Sequence, residues 1–161
     1  MYKILLVEDE KDIQEINKYM LGERGYTVCL AMNLAEARKG IADFAPDLIV
    51  LDIMLPDGSG LDFMEELRKH GNSIPILLLT ALSTPKDKVE GLRRGGNDYL
   101  AKPYDYDEFV MRVEVILRSK QQEDERVRLA VKAAEHDRQI LTFGGLTLNN
   151  TARTRMQTEN Y

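Results

Sequence analysis

The run Leu48-Ile49-Val50-Leu51 is wholly apolar and rich in branched side chains, as expected of a strand covered on both faces. Such a strand needs parallel neighbours and helices above and below, so it constrains the fold more than any other stretch. It closes on a carboxylate, Asp52, and then meets Pro56, Gly58 and Gly60, which are turn residues. An acid at the carboxyl end of a buried parallel strand stands where open α/β sheets assemble their sites. Taken alone, Asp52 could equally well close a turn.

Similar runs recur along the chain. Ile4–Val7 ends on Glu8-Asp9-Glu10, Thr27–Ala31 follows, Ile74–Leu79 ends on Thr80, and Asp98–Ala101 ends on Lys102-Pro103. Helical patterns separate them. The first carries Ile13, Ile16 and Met20 at helical spacing as its apolar line and stops at Gly25. Asn33 with Glu36 reads as a capping box for the second, which Pro46 ends by pushing Ala45 out of helical geometry. The third spans about 60–70, with Leu61, Met64 and Leu67 inward. Thr84-Pro85 with Asp87 opens the fourth, and Asp105 with Glu108 the fifth. Five strands alternating with five helices predict a doubly wound, five-stranded parallel sheet with helices on both faces.

Composition narrows the setting. The net charge of -5 gives no sign of general nucleic-acid affinity, and the acidity is local. Residues 1–119 carry 15 Lys+Arg against 21 Asp+Glu, while residues 120–161 carry 7 against 6, so the tail is not a basic arm. A single cysteine, Cys29 in the apolar run 27–31, allows no intramolecular disulfide and reads as a buried, inert thiol. No apolar run reaches membrane-spanning length and the first is too short for a signal peptide, so a cytoplasmic protein without membrane contact is expected.

In the predicted architecture the carboxyl ends of all strands share one edge. That edge gathers Glu8, Asp9, Asp52, Thr80 and Lys102. Three crowded carboxylates repel unless a cation neutralises them, and oxygen-only ligands favour Mg²⁺. A metal, an ammonium and a hydroxyl around one carboxylate suit phosphoryl transfer to that carboxylate. Singly, Glu8-Asp9 fits a helix N-terminal charge pair, Thr80 a strand end bonded to backbone, and Lys102 a solvated loop. Their joint occurrence at successive strand ends points to a site.

The stretches Leu6-Val7-Glu8-Asp9-Glu10, Asp52 through Gly60, Leu79-Thr80-Ala81 and Asp98 through Pro103 resemble the receiver domain of bacterial two-component response regulators, over about residues 1–120. The resemblance implies a flavodoxin-like receiver fold and a signalling switch, not an enzyme acting on other substrates, that catalyses its own phosphorylation and dephosphorylation. It makes Asp52 the acceptor of a phosphoryl group from a sensor histidine kinase. Mg²⁺ would be held by Asp9, Asp52, the Met54 backbone carbonyl and, through water, Glu8. Lys102, before a cis Pro103, would pair with a phosphoryl oxygen, Thr80 would donate to another, and Tyr99 would turn inward with Thr80.

The likeness extends to the winged-helix (OmpR/PhoB-like) subfamily, whose receivers dimerise on phosphorylation through the fourth helix, fifth strand and fifth helix. By that resemblance Lys88 would meet Glu108 of a second chain and Asp98 would meet Arg112. Arg118 would lose its usual acidic partner, because Asn97 stands there. Without the family, Glu108 and Arg112 are an i,i+4 pair on a solvated face.

Residues 121–138 read as a charged linker that extends the fifth helix. In 139–161, two short alternating segments around Gly144-Gly145 look like the opening strands of an incomplete winged-helix domain. No recognition helix follows, so DNA binding is expected of a full-length form and not of this chain. Two alternatives stand beside this reading. A stand-alone phosphorelay or partner-binding receiver would not need those strands. A Mg²⁺-dependent aspartyl phosphatase wants a second acid where Met54 stands.

Overall fold

The computed structural model describes residues 1–82 and 84–148, and side chains as far as 139. The strands of the main sheet are β1 (Lys3–Val7), β2 (Thr27–Ala31), β3 (Leu48–Asp52), β6 (Ile76–Thr80) and β7 (Asp98–Ala101). All pairings are parallel, in the order β2-β1-β3-β6-β7. Two two-residue strands, β4 (Met54–Leu55) and β5 (Gly58–Ser59), form a small antiparallel hairpin just beyond β3. The sequence reads only as a turn there, because two residues carry no period.

Five helices complete the fold: α1 (Lys11–Glu23), α2 (Leu34–Phe44), α3 (Gly60–Lys69), α4 (Pro85–Arg93) and α5 (Tyr106–Leu148). Their starts follow local chemistry. Asn33 accepts from the Glu36 amide at 2.8 Å, Ser59 from Leu61 at 3.1 Å and Thr84 from Asp87 at 3.1 Å. Ala45, before Pro46, takes φ 51° and ends α2 as expected. The buried strands β3 and β6 feed alternate residues to two cores. Leu48, Val50, Leu77 and Leu79 pack with Leu21 of α1 and with Phe109, Val110 and Val113 of α5. Ile49, Leu51, Ile76 and Leu78 pack with Ala37 of α2 and with Phe63 and Met64 of α3. This is the doubly wound α/β fold.

Two expectations are corrected. The buried residues of α1 are Gln14, Asn17 and Leu21; of the expected apolar line Met20 packs partly buried against the core, while Ile16 is 41% exposed. The helix is rotated from its apolar pattern because the strand ends and the loop after β7 present polar groups that need donors. In the tail, α5 continues through Gly144 and Gly145 to Leu148 in place of the expected strands; residues from Asn149 on lie outside the described residues. A two-stranded ribbon is marginal unless it joins a larger sheet, and the Lys, Glu, Gln, Arg and Ala of the preceding stretch favour helix.

The chain divides into units of residues 1–120 and 121–161. In the second, the helix is laced by Arg126–Glu123 (2.7 Å) and Arg128–Glu125 pairs, and Val127, Leu129 and Val131 are about half exposed. Among the described residues no helix is long and apolar enough to cross a membrane. Cys29 is half-buried and free.

Candidate functional site

Parallel register brings the ends of β1, β3, β6 and β7 to one edge, and the predicted residues meet there. Glu8, at the end of β1, and Asp52, at the end of β3, are 0% and 4% exposed. With the less buried Asp9 they offer carboxylate oxygens that all lie within 4.8 Å of one another. Lys102, following β7, places Nζ 2.7 Å from Glu8 Oε1 and 2.9 Å from Asp52 Oδ2, with Glu10 Oε1 at 3.3 Å. The Lys102–Pro103 peptide is cis, as the resemblance implied.

The electrostatics follow from this crowding. Burial pushes the Glu8 carboxyl up to about 7; the hydrogen bond and negative charge of Asp52 add to that, and Lys102 opposes it. Burial alone would depress Lys102, but its bonds and ion pairs with Glu8 and Asp52 outweigh this and hold its ammonium above the usual lysine range. An oxygen-only donor set with surplus negative charge fits a small hard dication.

One consequence concerns stability. Glu8 binds its proton more tightly folded than unfolded, so its contribution is full below about pH 4.5 and is lost as pH rises to about 7. Without divalent cations, wild type is therefore expected to lose roughly 1–3 kcal/mol relative to Glu8→Gln between pH 5 and 7.5. Urea midpoints at both values check this; parallel midpoints for the two proteins would contradict it.

Thr80 is fully buried, and its Oγ1 accepts from the Leu82 amide at 3.1 Å. Tyr99 lies inward, 4% exposed, and its hydroxyl donates to the Leu82 carbonyl, so both residues engage the same short loop. Gly91 of α4 lets the Tyr99 ring pack close, since a Cβ there would stand 3.0 Å from it. The amide of Met54 donates to Asp52 Oδ1 at 3.1 Å, and the Met54 side chain is 61% exposed.

Three tertiary contacts have no simple sequence signature. Asp57 accepts from the Leu34 and Ala35 amides at 2.8 and 3.1 Å, tying the hairpin loop to the start of α2; the Leu34 bond is the chief reason its carboxyl is held below the usual range. Gly60 presses on the strand that carries Asp52: a Cβ there would sit 2.2 Å from the Asp52 carbonyl oxygen. Arg68 bonds the carbonyls of Gly95, Asn72 and Ile74, at 2.8 to 3.1 Å, and bracing of this kind is invisible until the loops are folded.

On the face formed by α4, β7 and α5, Arg112 bonds Asp98 (2.9 Å) and Glu108 (2.9 Å) within one chain, so the local i,i+4 pair is formed. Lys88 and Arg118 are exposed. A groove of about 500 Å³ runs past Lys88, Tyr99, Glu108 and Arg112. Asn97 faces elsewhere: its Oδ1 accepts from the Ile76 amide (2.9 Å) and from Arg68 (3.2 Å).

Residues 4–114 match the family described as the response regulator receiver domain. The chain belongs to this family. Response regulator MprA of Mycobacterium ulcerans is 36% identical over 151 residues, 94% of this chain and 62% of MprA. Two-component response regulator PhoP of Pseudomonas aeruginosa is 42% identical over 116 residues, 72% of this chain and 52% of PhoP. The receiver thus comes in a chain spanning just over half to about three-fifths of these relatives' length. The receiver domain of Francisella response regulator 1452 superposes with a TM-score of 0.72 at 33% identity, covering 74% of this chain and 99% of that one. NtrX from Brucella abortus gives 0.74 at 28% identity, covering 80% and 29%. Receivers of response regulators are signalling proteins that partner histidine kinases. The MprA match runs past the receiver, in keeping with the winged-helix subfamily.

Proposed function

We propose that Asp52 accepts a phosphoryl group from a phosphohistidine of a sensor kinase and that the resulting acyl phosphate reshapes the face of α4, β7 and α5. The observation that carries this reading is the placement of Lys102 Nζ, 2.9 Å from Asp52 and 2.7 Å from Glu8 inside one acidic cluster. In the transfer an Asp52 oxygen bonds phosphorus, the phosphorus–nitrogen bond breaks, and the imidazole takes up a proton. Mg²⁺, held by Asp9, Asp52, the Met54 carbonyl and, through water, Glu8, would neutralise charge on the transferring group. Lys102 moves from a carboxylate pair to a phosphoryl oxygen without leaving the cluster. The Thr80 hydroxyl, which accepts from Leu82, keeps its proton free to donate to another phosphoryl oxygen. Tyr99 shares that loop and carries the change outward.

Intact mass after incubation with a small acyl phosphate and Mg²⁺ tests this reading. A phosphoryl adduct that is absent in Asp52→Asn supports it, and no adduct in wild type would sink it.

The output we propose is a symmetric dimer in which Arg112 and Glu108 exchange partners within their own chain for Asp98 and Lys88 across the axis, with Arg118 at its rim. Asn97 is a neutral amide, with its Oδ1 engaged by Ile76 and Arg68, so it contributes no charge to that rim. Arg112→Glu is expected to take up phosphoryl normally and to sediment as a monomer; a phosphorylated Arg112→Glu dimer would contradict the assignment. The MprA match over 151 residues favours a transcriptional regulator over a stand-alone relay. The aspartyl phosphatase reading gains no support, since Met54 offers no acid.

A further inference from the structure

Helix α1 turns two amides toward the core. Gln14, 3% exposed, donates to the carbonyls of Glu8 (3.1 Å) and Ala31 (3.2 Å), closing the end of the β1–β2 ladder. Asn17, fully buried, donates from Nδ2 to the Tyr104 hydroxyl at 2.7 Å, while its Oδ1 has no partner. A half-turn of the amide would let the Tyr104 hydroxyl donate to Oδ1 instead, so the contact exists in either orientation.

A buried amide with half its capacity unused costs stability that a leucine of similar size would not. Packing therefore gives no reason for Asn17. Its partner supplies one. Tyr104 lies two residues beyond Lys102, with the conformationally restricted Pro103 between them. Its ring sits edge-on to Tyr106, with centroids 5.9 Å apart, and tilted on Phe109 at 5.6 Å. Those ring contacts hold Tyr104 to α5, and the Asn17 bond ties it to α1. The segment that presents Lys102 is thereby fixed between two helices on the same face of the sheet.

We propose that the Asn17–Tyr104 hydrogen bond is a positioning contact that sets the depth of Lys102 Nζ between Glu8 and Asp52. Asn17 and Tyr104 are positioning residues acting through Lys102. The inference rests on the reading of Asp52 as phosphoryl acceptor, and it adds a device that reading does not require.

Asn17→Leu, Tyr104→Phe and the double variant test it, since the first keeps the branched heavy-atom skeleton and the second removes only the hydroxyl. At saturating small acyl phosphate with Mg²⁺, each single variant is expected to acquire phosphoryl about tenfold more slowly. The KM for donor stays unchanged, and the double variant is no slower than either single. The thermal midpoint of Asn17→Leu holds or rises, which separates positioning from loss of structure. A second readout needs no chemistry: the NMR signal of the Lys102 ammonium, with three acceptors in wild type, shifts and broadens in both single variants. Wild-type rates with an unchanged ammonium signal would overturn the proposal, as would additive slowing in the double variant. If wild type forms no adduct, the acceptor reading fails, and an unmoved ammonium signal would still overturn the positioning claim.

Discussion

Lys102→Met is expected to slow phosphoryl acquisition at Asp52 by about a hundredfold or more, the range for removing one preorganised charge donor from a transferring group. The residue has little freedom: its ammonium is 2.7 Å from Glu8 and 2.9 Å from Asp52, and its side chain is 14% exposed. Methionine keeps the stem and removes the charge. The substitution also leaves Glu8 and Asp52 facing each other without a counter-ion, so Glu8 is driven further toward its neutral form. Stability is therefore expected to fall less at pH 6 than at pH 8. Single-turnover rates at saturating donor, read beside urea midpoints at both pH values, separate the two effects. A wild-type rate would mean that the ammonium does not reach the transferring group.

The second large effect is structural. Gly60→Ala is expected to destabilise the receiver by about 3 kcal/mol or more, at the upper end for overpacking, because the new methyl meets backbone and not a side chain that can turn away. Its Cβ would lie 2.2 Å from the Asp52 carbonyl oxygen and 3.0 Å from Ile53 Cα, and the Gly60 amide already donates to the Ile53 carbonyl at 2.7 Å. Either α3 or the end of β3 must move, and the end of β3 carries Asp52. Gly22→Ala is the matched control: no atom lies within 4 Å of its Cβ, and alanine there is expected to add about 0.5–1 kcal/mol by helix propensity. Urea unfolding of both variants checks the pair; a Gly60→Ala midpoint equal to wild type would contradict the close approach.

These two substitutions also mark what was legible in the sequence. Lys102 is visible as a charged residue closing an apolar run, and parallel winding dictates that it meet Glu8 and Asp52. Strand runs and helix caps are signals carried within a few neighbouring residues, so the five-stranded sheet and the starts at Asn33 and Thr84 emerge from local chemistry. Gly60 reads only as a turn residue, because the atom it must avoid belongs to a strand already completed. The buried face of α1 departs in part from its apolar pattern for a related reason. Periodicity favours Ile13, Ile16 and Met20, of which Met20 does pack against the core, but the surface under α1 also includes two strand-end carbonyls and a tyrosine hydroxyl, and Gln14 and Asn17 answer those groups. Over residues 140–148, alternation suggested strands. Alternation makes a strand only where there is a sheet to join, and the helix continues instead.

Asp52, and no other carboxylate of the acidic edge, is proposed to bear the phosphoryl group. The direct measurement is borohydride reduction of the phosphorylated protein followed by peptide mass spectrometry, since an aspartyl phosphate is reduced to homoserine where a free carboxylate is untouched. Homoserine is expected at position 52 alone, and only after incubation with donor and Mg²⁺. Homoserine at position 9 or 57, or at none, would contradict it.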